Sequence, residues 1–153
     1  MGAEAKLAEL GITVPDVVPP LAAYVPAIRT GNLVYTAGQL PARDGEMIAV
    51  GKVGGAVSEE QGYECARQCA LNALAAIKTE IGSLDNITRI VKAVVFVAST
   101  PDFTGQPKVA NGASEFLAEV FGDLGRHARS AVAAPVLPLD VPVEIELIVE
   151  VAG

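Results

Sequence analysis

The stretch VEIELIVEV at residues 143–151 indicates how this chain folds. Successive side chains of a strand point to opposite faces of its sheet, so a period of two divides this stretch into two sets. One set is wholly apolar, while the other combines Ile148 with Glu144, Glu146 and Glu150. The alternation predicts a strand with one face against a core. The glutamates then belong either to a solvated sheet edge or to a face that meets a neighbouring subunit.

A second apolar stretch, ITRIVKAVVFVAS, lies at residues 87–99. Both of its alternating sets are apolar, Val91-Ala93-Val95-Val97 on one side and Ile90-Val94-Phe96 on the other. A strand that is apolar on both sides is typical of the interior of a sheet. The stretch therefore predicts a central strand that is buried on both faces.

Helix and turn signals fill the rest of the chain. Ser58-Glu59-Glu60-Gln61 is a capping box, and Gly82 provides a stop, so a helix is predicted over 58–81. A second helix is predicted over 108–121. Strands at 24–29 and 33–38 flank Thr30-Gly31-Asn32, a tight-turn sequence.

The predicted order is strand, strand, helix, strand, helix, strand, strand, which makes an α+β chain with a mixed sheet. Two helices can cover only one face of that sheet, so we expect a second copy to cover the other. Residues 1–20 are interpreted as an N-terminal extension, with a short helix that stops near Gly11 and an extended stretch at 14–20. Residues 21–153 are interpreted as a single domain.

Composition excludes several classes of function. A net charge of −7 argues against nucleic acid, whose phosphates are bound by clustered basic side chains. No stretch approaches the roughly 18 apolar residues of a membrane span, and the N-terminus lacks the order of a signal peptide. Two cysteines and one histidine are too few for a structural zinc site and give no disulfide framework. We therefore expect a cytoplasmic protein without a metal.

Few polar side chains are candidates for chemistry. Arg129 stands in ARSAV, a predicted short strand at 128–132. It is either an ordinary ion-pair partner or solvated surface group, or a group that captures a carboxylate with its guanidinium fork. The residue pattern leaves both open. His127 is predicted to face solvent, and Cys65 and Cys69 are predicted to be small core residues.

From about Tyr24 onward, the chain resembles the Rid family, also called YjgF, of reactive-intermediate deaminases. The resemblance is carried by YTAGQLP (35–41), ARQ (66–68), IVKAVVFVAS with PDF (90–103), Asn111, ARSAV (128–132) and LP-LD-VPVEIE (137–146). It implies a ferredoxin-like or chorismate mutase-like subunit that forms a homotrimer with clefts between chains. It also implies hydrolysis of enamines and imines to 2-oxo acids and ammonia, without a cofactor.

The resemblance also assigns residues. Arg129 matches the arginine that holds the substrate carboxylate, and Glu144 matches the glutamate that places or activates water. Tyr24 matches a tyrosine that lines the cleft, Gly38 a backbone contact, and Asn111 a polar residue behind the site.

The chain departs from the family in places. Ala131 stands where the family often has cysteine, so only its backbone carbonyl could orient a water. Ala37 replaces a common serine or threonine, and Ala22-Ala23 replaces a Gly-Pro. A protein that binds a 2-oxo acid in the same cleft without turnover is an alternative. Chorismate mutase chemistry would need more converging cations than Arg129, since Arg29 and Arg126 lie near turns.

Overall fold

The computed structural model describes residues 1–17, 19–20 and 22–153. Val18 and Leu21 lie outside the described residues, so the predicted stretch at 14–20 and the boundary after residue 20 are covered only in part. The helices and strands are α1 (Ala3–Glu9), β1 (Ala27–Thr30), β2 (Leu33–Thr36), β3 (Ala42–Arg43), β4 (Glu46–Met47), α2 (Glu59–Ile81), β5 (Ile87–Ala98), α3 (Gln106–Phe121), β6 (Ala128–Ala134) and β7 (Val143–Val151).

Five strands form one mixed sheet in the order β1-β2-β7-β5-β6. The β5–β6 pair is parallel and the other neighbours are antiparallel. The strands β3 and β4 form a separate small hairpin between β2 and α2. The mixed α+β sheet predicted from the sequence is confirmed.

The strand β7 has the predicted bounds and the predicted two faces. Its apolar set is buried beneath the helices, namely Val143, Ile145, Leu147, Val149 and Val151. It lies between β2 and β5, so the interpretation of its glutamates as edge residues is wrong. The glutamates instead face outward from the sheet, away from the helices.

The faces of β5 differ from the prediction at one point. Its pairing with β7 shifts register between Ile90 and Lys92, which leaves Val91 as an extra residue. Ile90, not Val91, is therefore buried beside Ala93. On the outer face, Val94 and Phe96 are only half-buried within a single chain.

The two long helices cover one face of the sheet. The predicted capping box of α2 is present, since Ser58 Oγ accepts from the Gln61 amide at 3.1 Å and Gln61 Oε1 accepts from the Ser58 amide at 2.8 Å. Where α3 crosses α2, a Cβ at Gly112 would collide with the carbonyl oxygen of Tyr63. The glycine thus permits the close approach of the two helices.

A third helix, α1, adds to the two that were predicted on this layer. Its Ala3 and Leu7 belong to the main core. The Glu4 amide donates to Asp85 Oδ1 at 3.0 Å, and Glu4 Oε1 accepts from the Leu84 amide at 3.1 Å. The segment interpreted as an extension therefore packs on the rest of the chain.

The first hairpin is shorter than predicted at both outer ends. Its two-residue turn places Gly31 at a φ of 58°, the left-handed region that glycine favours. Pro26, which lacks an amide hydrogen, precedes β1, and Tyr24 lies in a bend before it rather than on a strand. Tyr24 is thereby free of the sheet and more than half exposed.

Candidate functional site

Arg129 lies on β6, which is an edge strand of the sheet. Its register partner is the buried Ala93, so its side chain points to the helix-covered side. There Nη1 donates to Asn111 Oδ1 at 2.8 Å and to Ser114 Oγ at 3.1 Å. Asn111, expected at the start of the second helix, lies in the second turn of α3 and faces β6.

One edge of this guanidinium has no partner among the residues that the structure describes. Nη1 has two hydrogens, and Asn111 and Ser114 accept both. In the part of the chain that the structure describes, no carboxylate lies within salt-bridge distance of Arg129, and neither Nε nor Nη2 has an acceptor. The interpretation of Arg129 as an ordinary ion-pair partner therefore finds no support within the described chain.

His127 is half-buried, and both ring nitrogens have partners, so the prediction that it faces solvent is wrong. Its Nδ1 lies 2.6 Å from the carbonyl oxygen of Gly125, and its Nε2 lies 2.9 Å from Ser114 Oγ. The short 3-10 turn at Gly122–Gly125 turns this carbonyl toward the ring. The ring is therefore connected to Arg129 through a single hydroxyl group.

Ser114 was not among the residues that the sequence suggested. It lies three residues after Asn111, and residues three apart share one face of a helix. A polar pair at this spacing within the mostly apolar α3 was the available signal.

Ala131 lies two residues beyond Arg129 on the same strand, paired with Val95. Its side chain packs against the core and supplies no polar group. We call Asn111, Ser114, His127, Arg129 and Ala131 the arginine half-site.

Glu144 projects from the outer face of β7, opposite Phe96 of β5. Its carboxylate lies against Gly38, where an added Cβ would collide with Glu144 Oε2. Burial, and then repulsion from Glu146, raise the pKa of the Glu144 carboxyl above its ordinary value. Burial is the larger cause of the shift within the chain, and Arg129 is not among the causes.

Tyr24 and Gly38 line one cavity of about 120 Å³. Its other walls are mostly apolar and include Pro20, Leu40 and Leu139. We call Tyr24, Gly38 and Glu144 the glutamate half-site. A small ligand with an apolar side chain would fit beside it.

The two half-sites do not meet within one chain. Arg129 faces the helix side of β6, whereas Glu144 faces the outer side of β7. The strand β5 lies between them, which separates the two backbones by roughly 10 Å in addition to the thickness of the sheet. A site that used both Arg129 and Glu144 would therefore need a second copy of the chain.

The cysteines and the other potential metal ligands of the chain all lie within residues 1–17, 19–20 and 22–153. Cys65 and Cys69 are fully buried, as predicted, and burial raises the pKa of the Cys65 thiol to about 11. Among the described residues, no group of three or more potential ligands could hold a metal ion. None of the helices that the structure describes is long and apolar enough to cross a membrane.

Comparisons with known proteins show which proteins are similar to this chain. A family model described as "YjgF/chorismate_mutase-like, putative endoribonuclease" matches residues 4–151. Protein TCP17 of Trypanosoma cruzi is 40% identical over 147 residues, which are 95% of this chain and 92% of that protein.

Solved structures share the fold. The protein Atu1372 of Agrobacterium tumefaciens, of unknown function, is 44% identical with a TM-score of 0.91, over 98% of this chain and 93% of that chain. E. coli TdcF with bound serine is 25% identical with a TM-score of 0.65, over 89% and 94%. Because the family model extends over nearly the whole chain, this protein belongs to the YjgF/Rid family, with the chorismate mutase-like fold of that family.

Proposed function

We propose that this protein hydrolyses small 2-imino acids, or their enamine tautomers, to 2-oxo acids and ammonia in a cleft between two copies of the chain. The observation that carries the proposal is the guanidinium of Arg129. Its Nη1 is held by α3, and its Nε–Nη2 edge has no partner in the described chain. Two parallel N–H groups on one edge match the two oxygens of a carboxylate.

The cleft would join the arginine half-site of one copy to the glutamate half-site of the next. An outer sheet face with apolar side chains supports an assembly of this kind, because a single chain leaves it open. On this face, Ile28 of β1 is 58% exposed and Val132 of β6 is 46% exposed, and Val94 and Phe96 of β5, between β7 and β6, are half-buried. A homotrimer, as the family resemblance implies, would cover this face.

The proposed reaction asks little of the protein, because an imine carbon beside a carboxylate is already electrophilic. Water adds to C2 of the imine, and the Glu144 carboxylate accepts a proton from the water and returns it to the imine nitrogen. The resulting carbinolamine expels ammonia and leaves the 2-oxo acid, so one water is consumed for each ammonia. Orientation and one general base are sufficient for this reaction.

The apolar cavity beside Tyr24 is suited to the side chain of such a substrate. Its apolar walls would accept a small apolar side chain, which is consistent with small 2-imino acids. A polynucleotide suits the molecule less well, since the net charge of −7 repels phosphates. Endoribonuclease activity, which the family description names, is therefore the weaker candidate.

A second candidate is binding of a small carboxylate without turnover. A relative, E. coli TdcF, was solved with bound serine, a ligand that carries a carboxylate. The same arginine edge would hold such a ligand without any need for Glu144.

Replacement of Arg129 tests the proposal. Arg129→Ala is expected to lower the rate of ammonia release from 2-iminopropanoate at least 100-fold, as lost orientation at a reacting centre does. The substrate can be generated in the cuvette from alanine with an amino acid oxidase. Pyruvate should also cease to raise the melting temperature of the variant.

The alternatives give different outcomes in the same experiment. If the wild type binds pyruvate through Arg129 but leaves the rate of ammonia release unchanged, the protein is a binding protein. If the variant binds and turns over like the wild type, the arginine has no role in the site. The variant Lys108→Ala, at an exposed position of α3, is the control for effects of mutation itself.

A further inference from the structure

We infer that Ser114 and His127 are positioning residues for Arg129, and that the histidine acts only through the serine. The inference rests on the proposed function, because it concerns the group that would hold the ligand carboxylate. It adds that a series of hydrogen bonds with fixed donors and acceptors determines which edge of the guanidinium is left free.

The direction of these hydrogen bonds is set by the carbonyl group of Gly125. A backbone carbonyl can only accept a hydrogen bond, so the 2.6 Å contact places a proton on His127 Nδ1. In the neutral ring, Nε2 then carries no proton and must accept. The contact at 2.9 Å is therefore donated by the hydroxyl of Ser114.

The same logic continues to the arginine. Once the Ser114 hydrogen is given to His127, only lone pairs of its oxygen remain for other partners. Arg129 Nη1, at 3.1 Å, supplies the donor that these lone pairs need. Every donor in the series from Gly125 to Arg129 thus meets an acceptor, and a reversed hydroxyl would place two hydrogens against each other.

Asn111 completes the restraint from the same helix. Its Oδ1 accepts the other Nη1 hydrogen at 2.8 Å, so α3 holds one corner of the guanidinium at two points. A planar group fixed at two points on one nitrogen has little freedom to rotate. The Nε–Nη2 edge is therefore presented in one orientation before any ligand arrives.

The role is one of positioning, since neither Ser114 nor His127 lines a described cavity, and the free edge belongs to Arg129 alone. Loss of the serine hydroxyl is expected to weaken carboxylate binding more than it slows the chemical step. Loss of the imidazole is expected to weaken carboxylate binding only when the Ser114 hydroxyl is present.

The first measurement needs no variant. His127 is the only histidine in the sequence, so its imidazole nitrogens give one unambiguous set of ¹⁵N–¹H correlations. At a pH where the ring is neutral, we expect the Nδ1–H tautomer. The Nε2–H tautomer would overturn the inference directly, without dependence on the folding of any mutant.

The second measurement is a double-mutant cycle with 2-iminopropanoate as substrate and pyruvate as the binding probe. Ser114→Ala should raise KM, and the Kd for pyruvate, about tenfold, as for loss of one hydrogen bond to a charged group, with kcat within about threefold of the wild type. Ser114→Thr, which keeps the hydroxyl, should restore KM to within about twofold.

His127→Phe keeps a ring but removes the acceptor. It should raise KM about threefold in the wild-type background and leave KM unchanged in the Ser114→Ala background. An equal effect of His127→Phe in both backgrounds would show that the histidine does not act through the serine. An unchanged KM in a folded Ser114→Ala variant would show that the serine does not position Arg129.

The variant Arg129→Ala separates this inference from the proposed function. If Arg129→Ala binds pyruvate normally, the proposed function fails and the inference fails with it. If Arg129→Ala abolishes binding while Ser114→Ala does not affect it, only the positioning role fails.

Discussion

The protonation of Glu144 follows from its place on the sheet. Burial against Gly38 and repulsion from Glu146 both disfavour its charged form, in that order of size, and so raise the pKa of its carboxyl. A general base must be deprotonated, so kcat/KM of the proposed hydrolysis should fall as the pH is lowered through this raised pKa. The acidic limb of the rate profile then lies at a higher pH than for a free glutamate.

The variant Glu146→Gln tests this cause. It removes a negative charge near Glu144 and lowers the pKa of Glu144, so the acidic limb of kcat/KM should move to lower pH. The move should be partial, because burial is the larger cause and remains. Glu150→Gln, farther along the outer face of β7, is the control and should leave the limb in place. An identical shift in both variants would mean that Glu144 is not the titrating base.

Some residues of the candidate site could not be predicted from the sequence. Arg129 and Asn111 were identified by resemblance, and the structure brings them into contact. Ser114 and the half-buried setting of His127 were missed because both depend on how α3 lies against β6. A pattern along the chain contains no information on which turn of a helix faces which residue of a distant strand.

At the scale of elements, periodicity was most reliable where the pairing is regular. The strand β7 alternates without interruption, and its bounds and faces were predicted correctly. The faces of β5 were wrong at Ile90 and Val91, because a shift in pairing with β7 inserts an extra residue that the sequence alone does not reveal. The capping box placed the start of α2 because its hydrogen bonds are local.

The position of β5 in the sheet gives a stability prediction. Val95 is fully buried, with β6 and β7 as its neighbours. Val95→Asp would bury a charge without a partner at a cost of about 5 kcal/mol, a large part of the stability of a typical domain. We expect the variant to be unfolded or insoluble at 37 °C by circular dichroism and sedimentation.

The same substitution at an exposed valine is the control. Val50 is 54% exposed, so Val50→Asp should change the melting temperature little. A soluble, cooperatively folding Val95→Asp variant would contradict the interior position of β5.

At the scale of the whole molecule, the sheet keeps the arginine and glutamate half-sites apart. The sequence predicted that a second copy covers the face that the two helices leave open, and the family resemblance implied clefts between chains. The structure supplies the geometric reason for the same expectation, since Arg129 and Glu144 project from opposite faces of different strands.

Complementation between inactive variants tests the assembly. Arg129→Ala and Glu144→Gln should each be inactive, with losses of roughly 100-fold or more. When the two chains are unfolded together and refolded at equal amounts, about a quarter of the clefts in a cyclic oligomer receive both intact half-sites. About a quarter of the wild-type activity should then return. If no activity returns from a mixture of confirmed hetero-oligomers, both half-sites must come from one chain.

Because the proposed cleft needs half-sites from two chains, the activity per chain should depend on the protein concentration. A dilute solution would contain correctly folded chains that each carry every necessary side chain and yet form few complete clefts. A ligand that touches two chains at once would favour their association, because it binds only the assembled form. A high substrate concentration would in this way increase the fraction of chains in the assembled form that hydrolyses the substrate.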